Sequence, residues 1–349
     1  MGQNVKSATR KLVRDPLAFC LDSRFSFLNK YGDDALKQQY DNLLSLGTQM
    51  HEIPVTIIMT VYNTGRHVES ALRSILDQSH RRLEVMVIND ASTDNSLDIL
   101  KEIAAKDTRV RLFHSSVNHG TYWSKNWCLA KARKDYVAFQ DSDDISHPDR
   151  SRVQLGAFQK WPDMKACCVR WQRVIEGRRD RVLMEGKPSR MALISLMIKR
   201  APVLKKAGFF DCVRIAADSE YVARLDRAFG RKAVRNLRHI LYTGLLREGS
   251  LTTGNAGGTL WNLNESSKNQ DNAFNFERTL QGERALYHTA FQDWHNKASK
   301  SIGKTSQKTI ENPWPLRLMF PQKNRAFDAP ASLRGGCDDP DLNVVTELI

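Results

Sequence analysis

The feature that most restricts the fold is a fourfold alternation of apolar runs and helical segments that begins at Val55. The runs VTIIMTVYN, LEVMVIND, VRLFH and DYVAFQ are rich in β-branched and apolar residues, as buried strands are. Between them apolar residues recur at helical spacing, for example Val68, Leu72 and Ile75. Because alternating strands and helices form parallel βαβ units, this pattern predicts an α/β fold with a doubly wound sheet.

Composition is that of an ordinary folded protein. Of the 349 residues, 41% are hydrophobic and 26% are charged, which is enough apolar material for a core. No run approaches the roughly 18 apolar residues of a membrane span, and the basic N-terminal stretch lacks the apolar run of a secretory signal. The six cysteines have no C-x-x-C spacing, which argues against a zinc site or a disulfide framework and favours free thiols in a reducing cytoplasm.

The charge balance is strongly basic. Lys and Arg number 53 against 39 Asp and Glu, a formal net charge of +14. Such an excess suits an anionic partner, which is nucleic acid, a phosphorylated donor or an anionic membrane face, and it is equally typical of a solvated surface without a partner. Because the basic clusters are not interleaved with aromatic residues in a nucleic-acid-binding pattern, nucleic acid is the disfavoured partner.

Three carboxylates stand at the end of the fourth predicted strand, in the segment AFQDSDD. Asp141, Asp143 and Asp144 repel one another, and burying each one costs desolvation energy. A bound cation would remove both costs, and so would a solvated surface turn. The other strands also end in polar residues: Asn63, Asp90 and His114. Ligands of doubly wound folds bind at these carboxyl ends, so the sequence predicts a site there.

Four segments occur in a fixed order: TVYN, INDASTDNS, NHGTYWSKN and QDSDDISHPDR. Over roughly residues 53–250 this order resembles the family 2 glycosyltransferases, which are inverting enzymes that use nucleotide sugars. The resemblance implies a GT-A (Rossmann-like) doubly wound mixed sheet and a D-x-D motif that grips Mn²⁺ or Mg²⁺ against the donor diphosphate. A hard cation held by carboxylates would neutralise charge on that leaving group.

The resemblance also implies roles for residues around the nucleotide. Asp143 would face the metal, and Asp141 would lie near both the ribose and the metal. Asp90 matches a carboxylate that reads uracil. The other implied nucleotide contacts are Thr60 and Tyr62 in the base pocket, Lys125 where the family often has Arg, and Arg247 on the diphosphate. 

For several of these positions a purely structural role remains an open alternative. Lys125 lacks the bidentate fork of Arg and could equally be a solvent-facing helix residue. Asn63 is as suited to an Asx turn as to ligand contact, and Asp144 could serve only to shape its loop.

The segment AGFFDCVRIAADSEYVARL resembles the family's catalytic segment. Asp218 takes the position of the general base that deprotonates the acceptor hydroxyl, and inversion of configuration would follow. Ala217 replaces the first acid of the family's usual pair, which leaves Glu220 as a second candidate base. A role for Asp218 as helix N-cap is also open. The later segment LREGSLT keeps Arg247 but lacks the His of the family's closing loop.

These observations predict three regions. A helical N-terminal extension covers 1–52, a glycosyltransferase domain covers 53–250, and a helical C-terminal extension with a polar tail covers 251–349. Within the domain, 53–150 would bind the nucleotide and 151–250 the acceptor.

The predicted function is metal-dependent, inverting transfer of a sugar from a nucleotide donor, most simply a UDP-sugar, to a surface glycan or lipid-linked glycan. The predicted location is the cytoplasm, with peripheral contact to the anionic inner membrane face. The alternatives are a non-catalytic nucleotide-sugar-binding protein on a degenerate fold and a nucleic-acid-binding protein.

Overall fold

The computed structural model describes residues 34–178, 181–253, 267–268, 273–302 and 345–349. Within these ranges the helices are α1 (Asp34–Gln49), α2 (Val68–Leu76), α3 (Ser96–Ala104), α4 (Thr121–Lys131), α5 (Arg150–Lys160), α6 (Arg200–Ala207), α7 (Ala217–Phe229) and α8 (Gly282–Ile302). The strands are β1 (Val55–Val61), β2 (Leu83–Asp90), β3 (Val110–Ser115), β4 (Tyr136–Asp141), β5 (Ile145–Ser146), β6 (Ala166–Ile175), β7 (Arg181–Met184), β8 (Arg190–Met191), β9 (Met197–Lys199), β10 (Val234–Leu246), β11 (Ser267–Lys268), β12 (Ala273–Phe276) and β13 (Val345–Glu347).

The predicted α/β class and doubly wound mixed sheet are confirmed by the strand order. The main sheet runs β13-β3-β2-β1-β4-β9-β6-β10-β5. Strands β1 to β4 are parallel to one another, whereas β9 joins β4 and β6 in antiparallel pairing. The chain winds outward from β1 to β3 and then returns to the other side of β1, so the order of winding reverses between β1 and β4. This reversal opens a crevice at the carboxyl ends of those two strands.

The core follows from the apolar runs. All seven residues of β1 are buried, because a central parallel strand is covered by helices on both faces. Helix α2 contributes its apolar stripe, including the fully buried Leu72 and Ile75. Among the described residues, no helix is both long enough and apolar enough to cross a bilayer.

Helix α1 packs against α5 at very short range. A Cβ atom on Gly156 would lie 1.9 Å from the carbonyl oxygen of Leu43, and one on Gly47 would lie 1.9 Å from that of Arg152. The Tyr40 hydroxyl also donates to Asp149 at 2.7 Å. The helical character expected for 1–52 is thus present over 34–49, while residues 1–33 lie outside the described residues.

Two patterns in the second half of the chain predict structure that the molecule does not have. The neighbouring strand-like runs KACCVRW and RDRVLME predict an antiparallel pair, but β6 pairs in parallel with β10 and β7 pairs in parallel with β12 in a separate small sheet, because the buried β6 takes partners along both of its edges. The spacing of Phe276, Tyr287 and Phe291 predicts one helical face, but Phe276 lies in β12. 

The region 251–349 contains α8 as expected, together with three short strands, β11 to β13. Residues 254–266, 269–272 and 303–344, which include most of the predicted polar tail, lie outside the described residues.

Candidate active site

A cavity of about 990 Å³ opens at the carboxyl ends of β1 and β4. It is lined by all eight residues that the sequence assigned to the site: Thr60, Tyr62, Asp90, Lys125, Asp141, Asp143, Asp218 and Arg247. They come from β1 and the loop after it, β2, α4, β4 and the loop after it, α7 and the segment after β10. The topology therefore collects side chains from distant parts of the chain at one place.

Asp141 ends β4 beside a buried lysine. It lies opposite Thr60 in the register of β1 and β4, and its Oδ1 is 3.1 Å from Nζ of Lys125. The Lys125 side chain is only 3% exposed, so the alternative that it faces solvent is wrong. Burial in the cavity raises the pKa of Asp141, the Lys125 charge opposes this, and the neighbouring Asp143 raises the pKa further.

Asp143 and Asp144 have different surroundings although they are adjacent. Asp143 Oδ2 accepts a hydrogen bond from Nε of Arg247 at 2.8 Å and lines the cavity. Asp144 is buried and accepts from the backbone N–H of Leu245 at 2.9 Å. Burial, together with the charge of Asp143, raises the pKa of Asp144 well above its usual range. Asp144 therefore fastens the acidic loop to β10, which fits the interpretation that it shapes the loop.

Asp141 and Asp143 form an oxygen-donor pair that suits a divalent cation. Within the described ranges no cluster of three or more His, Cys, Asp or Glu could enclose a metal ion. Mg²⁺-type ions commonly bind through one or two carboxylates and complete their shell with substrate phosphates and water. The residues present therefore fit a cation shared with a diphosphate, rather than a closed protein site. Lys125 and Arg247 hold the same two carboxylates.

Asp90 is the most enclosed of the carboxylates that were predicted to contact the nucleotide. It is 2% exposed, and its two oxygens accept backbone N–H groups of His119 at 3.0 Å and Gly120 at 2.8 Å. Burial raises the pKa of Asp90, and the two backbone hydrogen bonds partly offset this. Asp90 therefore holds the backbone just before α4 in place, and only the remaining lone pairs of its carboxylate are available to a nucleobase.

The predicted base pocket is formed by the end of β1. Thr60 shares a 2.7 Å hydrogen bond with the hydroxyl of Thr121, while Tyr62 is 49% exposed at the cavity wall. Asn63 has a left-handed backbone, with φ of 49°, and its Oδ1 accepts the N–H of Thr93 at 2.8 Å. Asn63 therefore ties the turn after β1 to the loop after β2, and this bond across 30 residues is not an Asx turn.

Asp218 lies in the first turn of α7 but does not cap it. The N-cap residue is Ala216, with φ of 65° and no side-chain capping bond, so the N-cap interpretation of Asp218 is wrong. Its Oδ1 accepts the Tyr122 hydroxyl at 3.1 Å and the Ser219 N–H at 2.8 Å. From the part of the chain that the structure describes, Oδ2 receives no hydrogen bond, so one oxygen is left for a ligand in the cavity.

Glu220, the second candidate base, is unsuited to that role. Its side chain is completely buried and accepts from Arg224 at 2.9 and 2.7 Å. His295 of α8 lies 3.0 Å from the same carboxylate. Although burial raises the pKa of Glu220, the charge of Arg224 and the bond to His295 outweigh it and lower the pKa. Glu220 therefore joins α7 to α8 and does not reach the cavity.

Tyr122, Arg214 and Arg284 are among the cavity residues that the sequence did not single out. Tyr122 holds Asp218 and lies in the segment NHGTYWSKN, so the signal for it was present. Arg214 lines the cavity and donates to Asn118 Oδ1 at 2.8 Å. Arg284 of α8 donates to the carbonyl of Leu251 at 2.6 Å, and its segment carries no motif that could have singled it out.

Comparison with known proteins finds a family model that matches the central part of the chain. The sequence model of Glycosyl transferase family 2 matches residues 56–214. An uncharacterized glycosyltransferase of Haemophilus influenzae is 41% identical over 101 residues, which are 29% of this chain and 40% of the relative. The putative glycosyltransferase EpsE of Bacillus subtilis is 39% identical over 107 residues, 30% of this chain and 38% of EpsE.

A third relative, the putative teichuronic acid biosynthesis glycosyltransferase TuaG of Bacillus subtilis, is 37% identical over 101 residues, 29% of this chain and 40% of TuaG. The chain thus matches about two fifths of the length of these curated relatives.

Solved structures resemble parts of the fold. The crystal structure of S. aureus TarS 1–349 in complex with UDP-GlcNAc superposes with a TM-score of 0.47 and 19% identity, over 57% of this chain and 60% of that one. The mannosyltransferase PcManGT from Pyrobaculum calidifontis, in complex with GDP-Man and Mn²⁺, gives a TM-score of 0.40 and 16% identity, over 81% of this chain and 77% of that one. Similarities of this extent carry no argument about the ligand of this cavity.

Proposed function

Because residues 56–214 match the model of Glycosyl transferase family 2, we propose that this chain is a member of that family and a nucleotide-sugar-dependent glycosyltransferase of surface-polysaccharide synthesis. The similarity to EpsE and TuaG supports the polysaccharide context. The observation that carries the proposal is the convergence of Asp141, Asp143 and Asp218 on one cavity at the crevice between β1 and β4. Carboxylates at such a position can serve both a cation-bound diphosphate and a proton transfer.

The donor end of the cavity would hold the nucleotide diphosphate. Asp141 and Asp143 would bind a divalent cation, which when bound supplies charge neutralisation to the leaving diphosphate. Lys125 and Arg247 already contact these carboxylates and would add positive charge at the phosphates. The half-exposed ring of Tyr62 is placed to stack on a base. UDP is the proposed nucleotide, with Asp90 at the uracil.

The acceptor hydroxyl would lose its proton to Asp218. The hydroxyl oxygen forms the new bond to the anomeric carbon, the bond from that carbon to the diphosphate oxygen breaks, and the proton passes to Oδ2 of Asp218. Tyr122 and Ser219 hold Oδ1 of the same carboxylate, so the base is oriented before the acceptor arrives. Attack opposite to the leaving group inverts the anomeric configuration.

The first test is calorimetric titration of UDP, and separately of GDP, into the full chain with Mn²⁺ and then with EDTA. We expect UDP to bind in Mn²⁺ and to bind about tenfold or more weakly in EDTA. Asp143→Asn should give the same loss in Mn²⁺, because it removes one anionic ligand. The matched control Asp98→Asn changes an exposed carboxylate of α3 and should change nothing.

Other outcomes would correct or reject the proposal. Tighter binding of GDP than UDP would reassign the donor, and equal affinity in EDTA and Mn²⁺ would reject the metal. If neither nucleotide bound in either buffer, the cavity would not be a donor site.

A further inference from the structure

The cavity extends beyond the donor end into a region of positive charge. We call this region the basic wing; it is lined by Arg170, Lys187, Arg190, Arg235, Arg278 and Arg284. Asp226 is the carboxylate that lines the cavity beside them. The other acidic residues of the cavity belong to the donor end or to the proposed base: Asp90, Asp141, Asp143, Asp144 and Asp218. The two ends of the cavity therefore have opposite charge balance.

The basic wing begins at the proposed catalytic base. Burial lowers the pKa of Arg284, the nearby Asp218 carboxylate opposes this, and the charge of Arg278 lowers the pKa further. Burial also lowers the pKa of Arg190, and the nearby charges of Arg278 and Arg170 lower it further. The guanidinium groups thus follow one another from Asp218 outward.

Neutral groups hold two of these cations. Arg170 donates to the hydroxyl and the carbonyl of Ser189 at 3.0 and 2.6 Å, and Arg284 donates to the Leu251 carbonyl. Arg278 is exposed, and no other part of the described chain gives it a hydrogen bond or an ion pair. 

Acidic neighbours offset part of this charge. Arg190 forms an ion pair with Glu185, and Glu277 is also near Arg190. Arg170 and Arg278 thus remain as cations without a carboxylate partner in the described residues. Cations that repel one another along a cavity wall are stabilised by an anion bound between them.

We propose that the basic wing binds an anionic group, a phosphate or a carboxylate, carried by the acceptor glycan. This inference rests on the proposed function, because Asp218 as the base places the attacked hydroxyl at the inner end of the wing. The donor diphosphate belongs to the opposite end, with Asp143 and Arg247. Arginine suits this task since its planar fork binds phosphate or carboxylate through two parallel hydrogen bonds. The acceptor is therefore an acidic glycan, and its charged group lies along the wing from the attacked hydroxyl.

The test compares two matched probes on the full chain in saturating UDP and Mn²⁺. Tetragalacturonic acid carries carboxylates, and its methyl ester has the same sugars without the charges. We expect calorimetry to show binding of the acid and at least tenfold weaker binding of the ester. A glycerol-phosphate oligomer forms a second arm; tighter binding of this oligomer than of the acid would identify phosphate as the anion.

Substitutions of single arginines test whether the anionic probe binds at the basic wing. Arg278→Gln should weaken binding of the preferred anion about tenfold and leave UDP affinity unchanged. Arg133→Gln removes the same charge from an exposed position outside the cavity and should leave both affinities unchanged. Arg170→Gln gives a second variant of the wing, with thermal melting as the check that it folds.

The outcomes separate this inference from the proposed function. Equal affinity for acid and ester, equal losses in Arg278→Gln and Arg133→Gln, or no binding of either anion would overturn the basic wing while UDP binding stands. Loss of UDP binding in the unmodified protein would instead overturn the proposed donor site.

Discussion

At the scale of single residues, the site keeps its carboxylates apart by giving each a different partner. Asp143 contacts Arg247 and Asp141 contacts Lys125, whereas Asp144 turns inward to the backbone of β10. Without these partners, charges this close would raise one another's pKa and favour protonation. Burial raises the pKa of Asp141, and the charge of Lys125 opposes this rise and so favours the carboxylate form that a cation would bind.

Asp218 has the clearest prediction at this scale. Asp218→Asn keeps the hydrogen-bonding shape of the residue but removes its basicity. We expect nucleotide release from a UDP-sugar to slow by a factor of about 10² to 10⁴, with UDP affinity within about twofold of the unmodified protein. The measurement is coupled-enzyme detection of released UDP over a panel of UDP-sugars, together with calorimetry.

Tyr122→Phe provides the comparison for Asp218→Asn. It removes the hydroxyl that holds Oδ1 while the carboxylate stays, so the loss of rate should be smaller, about tenfold. Full turnover by Asp218→Asn would assign proton removal to another group.

The carboxylates of the site and Arg247 could be predicted from the sequence, whereas Arg214 and the arginines of the basic wing could not. Asp141, Asp143 and Asp90 follow apolar runs, and such a change of character marks a strand end in the local sequence. Arg284 follows no such signal, because it reaches the cavity only through the packing of α8. The same limit affected Glu220, whose burial depends on His295 of that helix.

At the scale of elements, α7 is held from both sides. Helix α8 reaches it through the contact of His295 with Glu220 at 3.0 Å. Tyr287 of α8 also donates to Asp211 at 2.9 Å, in the segment before α7. On the cavity side, Tyr122 of α4 holds Asp218. The proposed base therefore stands on a helix whose position is fixed by buried polar contacts, as a preorganised site requires.

Strand pairing shows where sequence patterns stop being informative. The first four strands follow in βαβ units, so local periodicity and the handedness of crossovers were enough to order them. Strand β6 joins β10 across a long stretch of chain, and β9 is only three residues long. Neither the length nor the apolar character of β6 shows that its partner is β10, and not the neighbouring run RDRVLME, which contains β7.

His239 gives a pH-dependence prediction for the docking of α1 on β10. It is fully buried and meets the ring of Tyr40 edge-on, with centroids 5.5 Å apart. Burial, assisted by the charge of Arg238, lowers the pKa of His239 to about 4. A folded-state pKa below the unfolded value of about 6.5 favours the neutral form, so its contribution to stability is present above pH 6.5 and is lost as pH falls toward 4.

The expected loss is about 3 kcal/mol of unfolding free energy between pH 7 and pH 4. His239→Phe keeps a ring against Tyr40 but cannot be protonated. Between pH 7 and pH 4 the unfolding free energy of this variant should therefore fall by about 3 kcal/mol less than that of the unmodified protein. Urea unfolding at several pH values measures both proteins. His51→Phe, at an exposed position, is the control and should follow the unmodified protein. Parallel curves for His239→Phe and the unmodified protein would contradict the prediction.

At the scale of the whole molecule, the sheet edge and the charge balance determine what the surface can meet. Strand β13 pairs antiparallel with β3, which covers an edge that would otherwise expose unpaired N–H and C=O groups. The formal charge of +14 is spread over a surface that also includes the basic wing. An acidic glycan would thus be attracted before it contacts the cavity.

The same charge predicts peripheral binding to an anionic membrane, where a lipid-linked acceptor would be present. We expect the full chain to sediment with phosphatidylcholine vesicles that contain about 30% phosphatidylglycerol, at about 50 mM NaCl. Because the Debye length shrinks to a few ångströms in about 0.5 M salt, the protein should be released there. Vesicles of phosphatidylcholine alone are the control and should not bind it at either salt concentration. Sedimentation that does not change with salt, equal binding to both kinds of vesicle, or no binding at low salt would reject an electrostatic membrane contact.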